Sequence, residues 1–270
     1  MRTWTRIVIG AVAALVAVAG VATAAFQHWM PWWMDEGDHN HVHSGEVGSQ
    51  RYQVHLPPLY DGATPLPVIM AIHGCGMSGY GWNSMKSTTQ LNDLADREGF
   101  IVVYPTQPLF GSVVNCWNSA DPREQHRHTG EPALLAGVAR KVVETYGADP
   151  DQVHVAGASS GAGTAVILAA TYPDVFATAM PVNPRGWSTS KEPWVTSWTA
   201  VCSTTACVRV HHPTLPTRDG ASLVESSLVK DMGHVWPGPA GEGLFTDHAG
   251  PDVRAIIWDF VCRHSRGTPE

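Results

Sequence analysis

The alternation of apolar and polar residues predicts strands and helices that follow one another along the chain. Tyr52, Val54 and Leu56 alternate with polar residues, which indicates an edge strand. Continuous apolar runs predict strands covered on both faces at residues 67–72 and 100–104. Residues 152–156 and 176–182 are predicted as two further strands. Helical spacing of apolar residues predicts helices over 88–98, 131–146 and 160–172, and a last one through Val253, Ile256, Ile257 and Phe260. Such alternation implies an α/β fold with a parallel sheet covered on both faces.

The first 48 residues predict an export signal and a linker. Arg2 and Arg6 precede a stretch without charge, and Ala22-Thr23-Ala24 fits the small-x-small pattern of a cleavage site, so residues 1–24 are a candidate signal peptide. An uncleaved N-terminal anchor is the alternative, because the apolar stretch is almost long enough to span a bilayer. Either interpretation makes the protein secreted or extracytoplasmic. Residues 25–48 then form a linker, and residues 49–270 form the folded domain.

Three histidines alternate within the predicted linker. His39, His41 and His43 would share one face of a strand and could bind a metal there. A linker is the favoured interpretation, because nothing nearby completes a closed ligand set. No metal site is predicted.

Composition and charge narrow the classes of function. Of the 270 residues, 44% are hydrophobic and 15% are charged, which is typical of a globular protein rather than a disordered one. The formal net charge is −7, and the chain lacks the basic patch of nucleic-acid-binding proteins. Five cysteines are present, so at least one has no intramolecular partner.

The motif Gly157-x-Ser159-x-Gly161 stands between a predicted strand and a predicted helix. This is the context of a nucleophile elbow, in which a strained turn exposes the serine. Ser159 is therefore the candidate nucleophile. The backbone N–H of Ser160, at the start of the helix, can face an oxyanion with the helix dipole behind it. The alternative is a purely structural turn.

Two further segments supply candidate partners for the serine. His73-Gly74-Cys75-Gly76 follows the strand 67–72, where a second oxyanion N–H is expected from Cys75; an ordinary strand-exit turn is the alternative. The general base is expected after the last strand, and His234 in DMGHVWPG is the best placed. His248, in a loop, and His264, at a helix end, are weaker candidates.

Taken together, the segments HGCG, CWNSADPREQHRHTGEPA, VHVAGASSGAG and MGHVWPG resemble a known family. The chain is similar to extracellular polyhydroxybutyrate depolymerases and the related feruloyl and acetylxylan esterases, over residues 51–184 and again over 217–260. The resemblance implies an α/β-hydrolase fold and ester hydrolysis through an acyl-serine intermediate. It implies no metal or organic cofactor.

The same resemblance assigns roles to individual residues. It implies that Ser159 is the nucleophile, that His234 is the base, and that Trp117 and Trp236 line the substrate cleft. Read without the family, each tryptophan is expected in the core.

Cysteine pairing also follows from the resemblance. It implies a disulfide between Cys75 and Cys116 that braces the oxyanion loop. Cys262 is predicted to be free.

The chain departs from the family between residues 185 and 205. That segment has no aspartate, and its only acid is Glu192. Compared with the family, it lacks the strand and helix that precede the last strand, through a deletion or a shifted reading frame. The triad acid is therefore unknown. Asp219, in the turn pattern TRDG, is the candidate; Asp231 and Asp247 are alternatives.

These observations predict an exported serine esterase acting on polyester or on short acyl or feruloyl esters. The alternative is a degenerate hydrolase that binds polyester or polysaccharide with little or no turnover, and the missing acid motivates it. The expected partner is an ester substrate. Nucleic acid is not expected, nor is a stable membrane partner beyond a possible N-terminal anchor.

Overall fold

The computed structural model describes residues 34–108, 112–182, 235–238 and 241–266, with short pieces at 10, 12–15, 18, Cys207–Val208 and Leu228–Val229. The chain divides into two compact units, Met1–Glu36 and Gly37–Glu270. In the first unit, residues 12–15 are helical. No helix within the described residues is both long enough and apolar enough to cross a membrane. Most of the predicted signal segment lies outside the described residues.

A six-stranded sheet forms the centre of the second unit. Its strands are β1 (Asp38–Gly45), β2 (Gly48–His55), β3 (Val68–Ile72), β4 (Ile101–Thr106), β5 (Val153–Ala158) and β6 (Thr178–Val182). They lie in the order β1-β2-β4-β3-β5-β6. The prediction that the strand through Tyr52 and Val54 lies at an edge is wrong, because β1 pairs with the outer side of β2. The pairs β1–β2 and β2–β4 are antiparallel, and β4, β3, β5 and β6 run parallel. The predicted parallel sheet is confirmed.

Four two-residue strands lie apart from this sheet. β7 (Cys207–Val208) pairs antiparallel with β8 (Leu228–Val229), and β9 (Trp236–Pro237) pairs parallel with β10 (Thr246–Asp247). β9 begins two residues after His234, so the structure describes the segment that follows this histidine.

Helices cover both faces of the sheet. They are α1 (Met85–Thr89), α2 (Leu91–Glu98), α3 (Gly130–Tyr146), α4 (Ser160–Thr171) and α5 (Val253–Val261), with 3₁₀ turns at Val113–Asn115 and Pro122–Glu124. One hydrophobic cluster joins α3 and α4 to the sheet, and a second joins α1, α2 and α5 to it. The helix predicted over 88–98 is divided at Gln90, whose φ of 50° is left-handed and cannot continue a helix.

The polar segment assigned to the linker contains a strand. Residues 38–45 form β1, which pairs with β2 over its full length. Polar contacts anchor it: His55 Nδ1 lies 2.9 Å from buried Asp38, and His41 Nε2 lies 2.7 Å from the Tyr146 hydroxyl. A pattern of apolar positions does not detect a strand held in this way. No group of three or more potential metal ligands occurs among the described residues.

One buried histidine of β5 should make the protein less stable in mild acid. Burial, with a contribution from His264, lowers the pKa of His154 to about 3. Its Nδ1 lies 2.8 Å from Thr178 Oγ1, and its Nε2 has no hydrogen-bond partner among the described residues. Below the unfolded pKa of about 6.5, the unfolded chain binds a proton that the native protein excludes. The stability is therefore fully present above that pH and decreases as the pH falls toward 3.

The measurement is urea unfolding at pH 7 and pH 5 for the wild type and His154→Gln. The free energy of unfolding should fall by about 2 kcal/mol more in the wild type than in the variant. Burial lowers the pKa of His55, but its bonds to Asp38 and Asp96 outweigh this and raise the pKa, so it acts in the opposite direction. Since both proteins retain His55, its effect cancels. Parallel pH dependence of the two proteins would contradict the prediction.

Candidate active site

Ser159 occupies a strained turn between β5 and α4. Its φ of 54° and ψ of −114° lie outside the regions that L-residues prefer. The surrounding backbone holds it there: its N–H donates to Val182 O at 3.2 Å, and its carbonyl accepts from the Ala162 N–H at 3.0 Å. Such strain is maintained where the fold over-determines it, and it concentrates at functional sites.

Close packing requires the two glycines of the motif. A Cβ on Gly157 would lie 2.1 Å from the carbonyl oxygen of Gly161. A Cβ on Gly161 would lie 2.4 Å from the Ile72 carbonyl oxygen and 2.5 Å from that of His73. All three contacts are with backbone, which cannot move aside as a side chain can. The glycines therefore allow α4 to start directly beneath β3 and β5.

The loop that follows β3 lies beside the serine. A Cβ on Gly74 would be 3.2 Å from Ser159 Cβ, so the peptide that joins Gly74 to Cys75 is next to the nucleophile candidate. Ser160 is the first residue of α4, and an N–H at that position has no acceptor within its own helix. The Cys75 and Ser160 N–H groups thus flank Ser159 and are suited to stabilising an oxyanion.

His73 holds the carbonyl of that peptide in one orientation. Its Nε2 accepts from the Gln107 backbone N–H at 3.2 Å, so the proton of the neutral ring is on Nδ1, which donates to Gly74 O at 2.8 Å. Burial lowers the pKa of His73 to about 4, although the bond to Gly74 opposes the shift, so the ring is neutral at pH 7. In a trans peptide the N–H points away from the carbonyl, so the orientation of the Cys75 N–H is set as well.

A disulfide closes the same loop. Cys75 and Cys116 are bonded, with their Cα atoms 4.2 Å apart, which confirms the predicted pair. Cys262 is free and exposed, also as predicted. The side chains of Cys202 and Cys207 lie outside the described residues.

A cavity of about 100 Å³ is present beside Ser159. Its described lining is uncharged and mostly apolar, and comprises Gly74, Cys75, Met77, Thr88, Ala158, Ser159, Val182, Val235, Trp236 and Phe245. Two polar atoms of lining residues, Thr88 Oγ1 and Trp236 Nε1, are buried and have no hydrogen-bond partner among the described residues. The cavity suits an apolar group, because its described lining is uncharged and mostly apolar.

Comparison with known proteins agrees with this geometry. Residues 50–183 match the model of the family described as esterase PHB depolymerase. These residues belong to that esterase family. The matched range runs from β2 to just beyond β6, so it contains both Ser159 and the Gly74–Cys75 loop.

Curated relatives are similar over part of their length. A feruloyl esterase B of Neurospora crassa is 37% identical over 115 residues, which are 42% of this chain and 37% of that protein. A probable acetylxylan esterase A of Aspergillus fumigatus is 33% identical over 144 residues, 52% of this chain and 37% of the relative. A poly(3-hydroxyalkanoate) depolymerase C of Paucimonas lemoignei is 32% identical over 121 residues, 43% and 27% respectively. The chain therefore spans well under half the length of each of these relatives.

The fold of the esterase domain is that of an α/β-hydrolase, as expected. A solved thermostable esterase superposes with a TM-score of 0.52 and 15% identity, covering 85% of this chain and 64% of that one. The strand-helix unit predicted to be missing would fall in residues 185–205, which lie outside the described residues.

The structure separates the two tryptophans of the predicted cleft. Trp236 lines the cavity beside Ser159. Trp117 is only 2% exposed, and its ring centroid lies 5.2 Å from that of His73, so it packs in the core. Trp236 is also buried, at 3% exposure, and the difference between the two is that Trp117 is not among the described residues that line the cavity.

The structure does not describe the predicted base or the predicted acid. His234 and Asp219 lie outside the described residues, as do Asp231 and Glu192. Val235, the residue directly after His234, lines the cavity.

The weaker candidates have structural contacts of their own. Asp247 accepts a hydrogen bond from the Ala249 backbone N–H at 2.9 Å, which is a turn contact. His264 is stacked on Phe260, with ring centroids 4.2 Å apart. His248 is in the turn that follows β10.

The sequence patterns did not identify Gln107, whose backbone N–H donates to His73 Nε2 and so sets the tautomer of that ring. A usable indication was its position directly after β4, because β3 and β4 are parallel neighbours and their carboxyl ends meet at one edge of the sheet. Thr88, on α1, was not identified, since no local pattern shows that this residue lines the cavity.

Proposed function

We propose that this protein is an exported serine esterase that cleaves polyester or small acyl esters through an acyl-serine intermediate. The observation that carries the proposal is the strained turn at Ser159, set beside the Gly74–Cys75 loop and open to an uncharged cavity. Relatives named feruloyl esterase, acetylxylan esterase and polyhydroxyalkanoate depolymerase support the same reaction class.

In the proposed reaction Ser159 Oγ attacks the ester carbonyl carbon while its proton passes to His234. The carbonyl oxygen becomes an oxyanion, which accepts hydrogen bonds from the N–H groups of Cys75 and Ser160. When this intermediate collapses, the bond to the leaving alcohol breaks and His234 returns the proton to it. A water then attacks the acyl-serine by the same steps and releases the acid. The position of Val235 on the cavity supports His234 as the base.

The lining of the cavity supports a neutral acyl group. Met77, Val182 and Phe245 provide apolar contacts, and no charged side chain is among the described lining residues. Burying an unpaired charge there would be unfavourable, so charged acyl groups should be poor substrates. Export is supported by the disulfide, because such bonds persist in oxidising compartments.

Fluorophosphonate labelling combined with an ester panel tests the function. The purified protein should hydrolyse p-nitrophenyl butyrate, and the fluorophosphonate should stop turnover while adding its mass to the peptide that contains Ser159. Hydroxybutyrate oligomers, a feruloyl ester and acetylated xylan then rank the substrates. Binding to polyester without turnover or labelling would contradict the proposal and favour a non-catalytic binding protein.

A further inference from the structure

A single carboxylate at the start of α3 joins two loops that flank Ser159. Glu131 Oε1 accepts hydrogen bonds from Gln107 Nε2 and from Asn118 Nδ2, the latter at 2.8 Å. Glu131 Oε2 accepts from the Asn118 backbone N–H at 2.9 Å. Both oxygens of Glu131 therefore accept from N–H groups. A carboxylate suits this arrangement, because each of its oxygens is an acceptor.

The first branch leads from Glu131 to the Cys75 N–H. Gln107 is held at its side chain by Glu131, and its backbone N–H donates to His73 Nε2. His73 in turn holds the Gly74 carbonyl, which shares a planar peptide unit with the Cys75 N–H. A displacement of Gln107 would therefore change the tilt of that peptide.

The second branch leads from Glu131 to Ser160. Asn118 follows Trp117, whose backbone N–H donates to Ser160 Oγ at 3.3 Å. This bond ties the disulfide loop to the first residue of α4. The Cys75–Cys116 bond links the two branches to each other.

We propose that Glu131 is a positioning residue that aligns both backbone donors of the oxyanion hole. The inference rests on the proposed function, in which the Cys75 and Ser160 N–H groups stabilise the oxyanion. Glu131 itself contacts neither donor, and acts through Gln107 and Asn118. Pre-aligned donors stabilise charge that develops in the transition state, so loss of the alignment should lower kcat rather than weaken substrate binding.

The test is Glu131→Gln, which keeps the size and replaces one acceptor oxygen by an NH₂ donor. Three N–H groups, from Gln107 and Asn118, then face a side chain that has one acceptor oxygen. At least one of them meets the new NH₂ group, which is itself a donor. For p-nitrophenyl butyrate, kcat should fall between about 10- and 100-fold with KM within about twofold of the wild type. The Ki of an aliphatic trifluoromethyl ketone, which forms a tetrahedral adduct with the serine, should rise by a similar factor.

Glu144→Gln is the matched control. It makes the same change on α3, at an exposed residue that pairs with Lys141, and should leave kcat, KM and Ki unchanged. If Glu131→Gln does not fold, Gln107→Met tests the first branch, since it removes the side-chain donor and keeps the backbone N–H. That variant should show a roughly 10-fold lower kcat at unchanged KM.

The outcomes separate this inference from the function it rests on. Wild-type turnover and labelling at Ser159, together with kcat within twofold of wild type in the Glu131 variant, would overturn the inference alone. A rise in KM in place of the loss of kcat would also overturn it. If the wild type neither turns over esters nor reacts with the fluorophosphonate, the proposed function and the inference fail together.

Discussion

Replacing Ser159 with alanine is expected to lower kcat on p-nitrophenyl butyrate by about 10⁴-fold or more, to near the rate in buffer. Without Oγ no acyl-enzyme can form, and the backbone donors alone retain little of the rate enhancement. The strained backbone remains, because an alanine at φ 54° has the same steric cost as serine. The melting temperature should therefore stay close to that of the wild type, and kcat is the quantity to measure.

Ser44→Ala is a suitable control for this experiment. Ser44 is an exposed serine of β1 and does not line the cavity, so its loss should leave kcat unchanged. Turnover by Ser159→Ala equal to that of the control would show that another residue performs the chemistry. The acyl-serine proposal would then be wrong.

Removing the Cys75–Cys116 disulfide is expected to lower the free energy of unfolding by about 4 kcal/mol, from the chain-entropy relation for the 41-residue separation of the two cysteines. Activity should fall as well, because the bond closes the loop that carries one oxyanion donor. Urea unfolding of Cys75→Ala/Cys116→Ala, followed by tryptophan fluorescence, measures the first effect. Initial rates on p-nitrophenyl butyrate measure the second.

Cys262→Ala controls for the loss of a thiol as such. Cys262 is free and exposed, so its replacement should change neither the unfolding midpoint nor kcat. A reducing agent should reproduce the effects of the double variant on the wild type and have none on the double variant itself. Equal stability of the double variant and wild type would refute a stabilising role for the bond.

Much of the sheet could be predicted, because a buried strand has a recognisable run of apolar residues in the sequence. β3 and β4 are covered on both faces, so their apolar runs are continuous and are typical of buried strands. The sequence of β1 has no such apolar run. Its anchors are Asp38 and His41, whose partners lie 17 and 105 residues away, and an apolar pattern contains nothing about such contacts.

The residues of the candidate site were likewise predictable only in part. The Gly-x-Ser-x-Gly motif identified the turn, because it stands at a strand-to-helix junction that the local pattern already shows. The close contact of Gly157 is with Gly161 inside the motif, whereas that of Gly161 is with Ile72 and His73 of another segment. The pairing of Cys75 with Cys116 and the tryptophans of the cleft came from resemblance, which was right for the disulfide. For Trp117 the structure shows a core residue, because family resemblance does not specify which way a loop turns.

The sequence by itself determined the order of most strands and helices and the Gly-x-Ser-x-Gly turn that carries Ser159. Only the tertiary structure decided which polar groups meet behind the oxyanion loop. Gln107, Asn118 and Glu131 lie on separate segments, and the structure brings them together next to the carboxyl ends of β3 and β4. Hydrogen bonds between them depend on distances set by the packing of whole elements, whereas burial of a strand depends mainly on its own residues. This is why local patterns predicted the sheet and could not predict the network that supports Ser159.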